Sequence, residues 1–241
     1  MRIETLSVFP DVFASYLGAS MMGRAQTKGL LDFEAYDLRD WTHDRHRTVD
    51  DAPFGGGQGM LMKPAPIFEA VRDISARHEL RPHVIFFSPV GARFDEAAAR
   101  RLSHEDRILF VCGRYEGMDE RCYDLADETL SIGDYVLTGG ELAAMVVTDA
   151  VVRLIPGVLG DEMSAEDESF AGGLLEYAQY TRPAVYEGRA VPDVLLSGDH
   201  AAVDAWRRRN QIERTALWRP DLLEGADLTP EERAWLAERG D

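Results

Sequence analysis

Apolar residues in this chain fall into short runs separated by polar, glycine-bearing segments, and the runs differ in period. Arg2 to Phe9 predicts a strand that Pro10 ends, and residues 11–22 predict one short helix. Leu31, Phe33 and Ala35 alternate with Asp32 and Glu34, the period of a half-buried strand. Ile67, Val71 and Ile74 recur at helical spacing. Then one unit repeats. His83 to Phe87, Arg107 to Cys112 and Glu128 to Ile132 predict strands, with helical patterns at residues 95–102 and from Gly117 to about Leu125. Apolar strands alternating with helices predict an α/β domain whose parallel sheet is covered on both faces.

Ligands of such sheets sit at the carboxyl ends of the strands. Three segments occupy that position: Ser88-Pro89-Val90-Gly91, Gly113 to Gly117 (GRYEG) and Ser131 to Glu141 (SIGDYVLTGGE). Each carries glycine, which permits tight turns and lets a ligand approach the main chain. One such segment reads equally well as a plain turn; three together point to a small-molecule site. Residues 53–60 (PFGGGQGM) are the most glycine-dense stretch. They match neither the phosphate loop nor the Rossmann pattern, and predict a lid or a close-packed loop. His43 and His46 lie in a polar loop with no second histidine–carboxylate cluster to make a metal site.

Glu141 to Ile155 is apolar nearly all round, predicting a helix that is buried or lies at a subunit interface. Arg153, near its end, either complements the helix dipole or serves chemistry. Residues 160–169 are acidic with small side chains and predict a linker. The expected organisation is a domain over 1–159, a linker over 160–172 and a small helical domain over 173–241. In the last, Ser197 is expected to cap a long helix beginning near Asp199. Thr229-Pro230-Glu231-Glu232 is expected to open a final helix running towards Arg239.

Composition narrows the function. The 241 residues carry a net charge of −17, which argues against a general polyanion binder. Lysine occurs only at Lys28 and Lys63, so the positive charge is nearly all arginine. Arginine's planar fork suits phosphates and base edges. Residues 206–220 (WRRRNQIERTALWRP) interleave arginine with tryptophan, suiting RNA phosphates and unstacked bases, or else forming a solvated helix face over a core. No apolar run reaches the ~20 residues of a membrane span, and MRIETLSVFPDVF has no signal-peptide pattern. Two cysteines give neither a disulfide framework nor a four-cysteine zinc site, so a reducing, cytoplasmic setting is expected.

The order SPxG, GRYEG, SIGDYVLTGGE and DAVVRLIPG resembles the bacterial tRNA (guanine-N1)-methyltransferase family. FPDVF, PFGGGQGMLMKP, GLLEYAQYTRP, VPDVLLSGDH and WRRRNQIERT resemble further blocks of that family in the same order. The resemblance implies a SPOUT-type, trefoil-knotted parallel-sheet domain with a small helical C-terminal domain. It implies transfer of a methyl group from S-adenosylmethionine to N1 of guanosine 37 in tRNA. The G36–G37 region of the anticodon stem-loop is the expected partner, and the enzyme a cytoplasmic homodimer with no membrane partner. By position the donor pocket comprises Ser88, Pro89, Gly113, Tyr115, Glu116, Ile132, Gly133, Tyr135, Leu137, Gly139 and Gly140. Arg153 maps onto the arginine that stabilises charge on O6. The general base, Asp in the family, maps onto Glu168 without gaps or onto Asp167 with a slip of one residue. Glu176 maps onto a carboxylate that contacts the target guanines, and Arg207, Arg208 and Arg214 onto the tRNA-gripping helix. The family is associated with magnesium, although no carboxylate cluster here offers a site. A related methyltransferase acting on another RNA, or a binding protein that has lost its base, stays open beside this reading.

Overall fold

The computed structural model describes residues 1–160, 168–170 and 172–238. Contacts divide it into two units, Met1–Gly160 and Asp161–Asp241.

The first unit is built on five parallel strands: β1 (Arg2–Ser7), β2 (Asp32–Asp37), β5 (His83–Arg93), β6 (Arg107–Val111) and β7 (Glu128–Ser131). Their order across the sheet is β2-β1-β6-β5-β7. Between β2 and β5 lies a hairpin of two short strands, β3 (Asp50–Asp51) and β4 (Leu61–Met62). The helices are α1 (Val12–Leu17), α2 (Ser20–Thr27), α3 (Pro64–Ala76), α4 (Glu96–Leu102) and α5 (Glu141–Val152).

Both faces of the sheet are buried, for a reason visible in β6. Side chains alternate across a strand. Ile108 and Phe110 pack with α1, α2, α4 and α5; Leu109 and Val111 pack with α3 and the 3₁₀ segment Glu120–Leu125. An unbroken apolar run is what a strand covered on both sides requires.

Three expectations need correction. Residues 11–22 are not one helix: α1 ends at Gly18, and α2 starts at Ser20 with a positive φ of 45°. A side chain at Gly23 would place its Cβ 2.4 Å from the Gly18 carbonyl oxygen, so this corner closes on glycine. The segment before Leu125 is 3₁₀ rather than α. And β5 does not stop at Phe87. It continues to Arg93 through a bulge in which Phe87 and Ala92 both pair with Leu130, leaving Ser88 to Gly91 outside the ladder.

At the amino ends of the strands the sheet is tied to α3 by a buried ion pair. Arg107 donates to both Glu4 carboxylate oxygens, at 2.7 and 3.1 Å. Its remaining donors reach the carbonyl of Ile74, in the last turn of α3, at 2.6 Å and that of Leu80, beyond the helix, at 2.7 Å. Tyr36 adds a third hydrogen bond to Glu4. A buried pair whose polar atoms are satisfied is tolerated, whereas one partner alone is costly.

The second unit carries a short hairpin, β8 (Val185–Tyr186) and β9 (Arg189–Ala190), turned by Glu187 and Gly188, both at positive φ. The proline-punctuated sequence gave no hint of it. The long helix α6 (His200–Trp218) is capped by Asp199, whose side chain accepts from Ala202 N–H; Ser197, expected in that role, instead accepts from Asp199 N–H. Helix α7 (Pro230–Ala237) opens with a full capping box of Thr229 and Glu232. A small core of Leu174, Ile212, Ala226 and Leu228, with Trp235 and Leu236 packed against it, holds α6 and α7 together.

Glu4→Leu leaves the buried Arg107 charge unpaired and is expected to cost about 3 kcal/mol or more. Urea unfolding checks this; an unchanged midpoint would mean that the pair does not secure α3.

Candidate functional site

The three glycine-bearing segments converge on a single cleft of about 240 Å³ at the carboxyl ends of β5, β6 and β7. All eleven residues expected to line a donor pocket line it: Ser88 and Pro89; Gly113, Tyr115 and Glu116; Ile132, Gly133, Tyr135, Leu137, Gly139 and Gly140.

Each wall has a local cause. The first is the β5 bulge. A side chain at Gly91 would place Cβ 2.6 Å from the backbone of Leu130, so only glycine lets the bulge fold back over β7 and push Ser88 and Pro89 into the cleft. The second wall is residues 113–117, where Tyr115 adopts a positive φ of 61°. Glu116 N–H donates to Met60 at 3.1 Å and Gly117 accepts from Met62 N–H at 2.9 Å, so the hairpin of β3 and β4 holds this loop from behind. A Cβ at Gly59 would lie 2.4 Å from Glu116 Cγ. The glycine-dense stretch is therefore close-packed at Gly59, while a Cβ at Gly55 or Gly56 would meet nothing within 4 Å and the Phe54 ring beside them is fully exposed.

The third wall is residues 132–140. The chain leaves β7 at the sheet edge and returns to the end of β6, two strands in, where Gly140 N–H donates to the Gly113 carbonyl at 2.9 Å. Arg114 and Gly139 form an antiparallel bridge beside that bond. A Cβ at Gly140 would lie 2.9 Å from Cys112 Cα, closer than real Cβ contacts occur. Helix α5 begins at Glu141, so its amino end abuts the cleft.

The electrostatics suit binding more than nucleophilic attack from the protein. Burial pushes the Cys112 thiol well up, and Cys122 up to about 12, so neither supplies a thiolate at neutral pH. Burial, then Asp50, raises the Tyr115 hydroxyl, which keeps its proton. Among the described residues no group of three or more His, Cys, Asp or Glu side chains is placed to hold a metal ion.

The other expected site residues divide between the units. Arg153 caps α5 in the first, half-buried, its N–H donating to the Asp149 carbonyl. Glu168 and Glu176 belong to the second, in a segment strapped along α6. Ser169 Oγ accepts from Glu176 N–H at 3.0 Å, Thr215 Oγ1 from Leu175 N–H at 2.9 Å, and Arg214 Nε donates to the Glu176 carbonyl at 3.0 Å. Asp167 lies outside the described residues. Arg207 stacks over the Tyr177 ring at 4.9 Å. Arg208 is committed elsewhere: it makes a fork to Glu232 at 2.7 and 2.9 Å, which holds that carboxyl below its usual range.

Four cleft neighbours were not singled out from the sequence. Arg114 and Thr138 line the cleft, and Glu141 and Ser7 lie behind it: Glu141 accepts from both Arg114 and Ser7, and Arg114 donates to the Thr138 carbonyl. Arg114 and Glu141 stand inside the quoted motifs; their pairing across 27 residues has no sequence signal.

Parallel strands, a glycine-built cleft across their carboxyl ends and a chain that crosses back over its own sheet define the class: an α/β methyltransferase of the SPOUT type. The family model for tRNA (Guanine-1)-methyltransferase TrmD matches residues 1–225. A tRNA (guanine-N(1)-)-methyltransferase of Syntrophotalea carbinolica is 53% identical over 240 residues, covering 99% of this chain and 96% of that protein. Proteins of the same description from Dictyoglomus turgidum and Bacillus cereus are 50% and 48% identical, each over 99% of this chain and 96% and 98% of their own. The chain belongs to the TrmD family of S-adenosylmethionine-dependent tRNA (guanine-N1)-methyltransferases.

Gly140→Ala forces the loops after β6 and β7 apart. Titration calorimetry with S-adenosylmethionine is expected to show affinity down about tenfold or more, the equivalent of ~1.4 kcal/mol. Unchanged affinity would place the donor outside this cleft.

Proposed function

We propose that this enzyme methylates N1 of guanosine 37, beside the tRNA anticodon, and that the donor lies in the cleft of residues 88–89, 113–116 and 132–140. The observation that carries the reading is the convergence of all eleven positions on one cleft. A cleft with bare main chain at Gly113, Gly117, Gly133, Gly139 and Gly140 suits a donor held in a bent shape by backbone N–H and C=O groups among apolar side chains.

Guanine N1 keeps its proton at neutral pH and is no nucleophile until a base removes it. Glu168 takes that proton, and the charge left on the base spreads to O6. Arg153 stabilises the O6 charge, so that general-base and electrostatic catalysis act together. N1 then attacks the sulfonium methyl carbon. The N–CH₃ bond forms as the C–S bond breaks, S-adenosylhomocysteine leaves with the electron pair, and the proton stays on the carboxylate. A glutamate has one methylene more than the aspartate of the family pattern and the same acid chemistry. Asp167 is the alternative base if the register slips by one.

Glu176 contacts the target guanines, and Arg207 and Arg214 grip the tRNA backbone. Arg208, tied to Glu232, contributes mainly by holding α6 to α7. The enzyme acts as a cytoplasmic homodimer. What supports the dimer is an exposed apolar stripe on α1 and α5: Val12 is 43% exposed, Tyr16 40%, Leu142 57% and Val146 50%. Such a stripe is unfavourable in water and suits a second copy. Magnesium, which the resemblance associates with the reaction, is assigned no protein ligand; omitting it from the assay tests its part.

The test is methylation of unmodified tRNA with a tritiated methyl donor. Label at G37 supports this reading, label only in another RNA supports a related methyltransferase, and donor binding without incorporation supports a protein that has lost its base. Glu168→Ala is expected to lower kcat by about 10²–10⁴-fold with donor affinity nearly intact. If Asp167→Ala does so instead, the base is Asp167. Arg153→Ala is expected to slow single-turnover transfer by about 10²-fold; a normal rate would remove it from the mechanism.

A further inference from the structure

Two carboxylates are fully buried among the described residues, Glu4 and Glu141. Glu4 is accounted for by Arg107 at the amino ends of the strands, away from the cleft. Glu141 stands at the opposite ends, directly behind the cleft wall, 3% exposed. Its Oε1 accepts from Ser7 Oγ at 2.6 Å and from Arg114 Nε at 3.1 Å. Its Oε2 lies 3.0 Å from Arg114 Nε but makes no hydrogen bond of its own.

A buried carboxylate with an acceptor to spare is an expensive way to fill space. What it does here is join three segments. Ser7 ends β1, and its Oγ also accepts from Phe9 N–H at 2.9 Å. Arg114 belongs to the loop after β6, and its guanidinium lies over the Phe9 ring at 4.6 Å. Glu141 opens α5, just after the third wall. The pair is pressed against that wall: a Cβ at Gly139 would meet Arg114 Nε at 2.3 Å and Glu141 Oε2 at 2.5 Å. Only a glycine there lets the wall close on the ion pair.

We propose that Glu141 is a positioning residue for methyl transfer, which, through Arg114 and Ser7, locks the loop after β6 to the start of α5 and so preforms the donor cleft. It touches no reacting atom; it fixes the two walls whose main-chain groups meet the donor. A preformed cleft spares the donor the cost of ordering the loops on binding. This rests on the reading that the donor occupies the cleft.

Glu141→Gln keeps the volume and the bond to Ser7 but removes the attraction for Arg114. The donor Kd and KM are expected to rise about tenfold. At saturating donor, kcat should stay within about twofold and the KM for tRNA should not move. Arg114→Gln should behave alike, and the double variant should be no worse than the poorer single one, as for two residues acting as one clamp. An unchanged donor Kd in Glu141→Gln, losses that multiply in the double variant, or equal losses for donor and tRNA that track a fall in Tm would each overturn the proposal. Should Glu141→Gln not fold, Arg114→Lys decides: it keeps the charge and loses the planar fork, and must show the same donor-specific loss. If Gly140→Ala leaves wild-type donor affinity intact, it is the cleft assignment that fails, a result distinct from a silent Glu141→Gln.

Discussion

A single backbone hydrogen bond, from Gly140 N–H to the Gly113 carbonyl, closes the site on which this protein depends. It joins the loop after β7 to the loop after β6 across the end of β5, which lies between them in the sheet. Glycine at both ends allows the approach, since any Cβ at Gly140 would strike the Cys112 backbone. The same logic recurs at Gly91 against Leu130, and at Gly139 against the Arg114–Glu141 pair. The cleft is therefore built by removing side chains where main chains must touch. What remains to face a ligand is bare main chain at Gly113, Gly133, Gly139 and Gly140, beside the side chains of Tyr115, Tyr135 and Leu137.

Charge is distributed to protect that arrangement. The buried pair of Glu4 and Arg107 secures the far end of the sheet to α3, and buried Glu141 with half-buried Arg114 backs the cleft. Neither can be treated as a simple stabiliser, because buried ion pairs seldom beat apolar packing in net free energy. They fix geometry. In the second unit Arg207, Arg208 and Arg214 on α6 are half-buried and serve other ends. Arg208 is absorbed by Glu232, while Arg207 lies over the Tyr177 ring. An acidic protein can in this way gather arginine on one helix without a field of that sign over its whole surface.

The strands of the parallel sheet and the three glycine-bearing loops at their ends were legible before folding was considered, because each follows from local pattern, and the resemblance to the family named eleven of the cleft residues. Two-sided burial demands unbroken apolar runs such as residues 108–112, and loops at strand ends that carry glycine announce close approach. Less local features were not legible. The split of residues 11–22 into two helices depends on a contact between Gly18 and Gly23. The extension of β5 past Phe87 depends on a bulge that only its partner, Leu130, defines. The β8–β9 hairpin turns on Glu187 at positive φ, a conformation its side chain does not advertise.

By itself the sequence determined the period of the five parallel strands and the longer helices, the places where glycine would be needed and, through motifs in fixed order, the family. Those properties reside in neighbouring residues or in short strings of them. Only the tertiary structure decided which distant groups meet: Glu141 with Arg114 and Ser7, Glu4 with Arg107, Gly140 with Gly113. Pairings of that kind are set by the crossing of the chain over its own sheet. A threaded connection has no signature in hydrophobic period, because the same strands and helices could be joined without it.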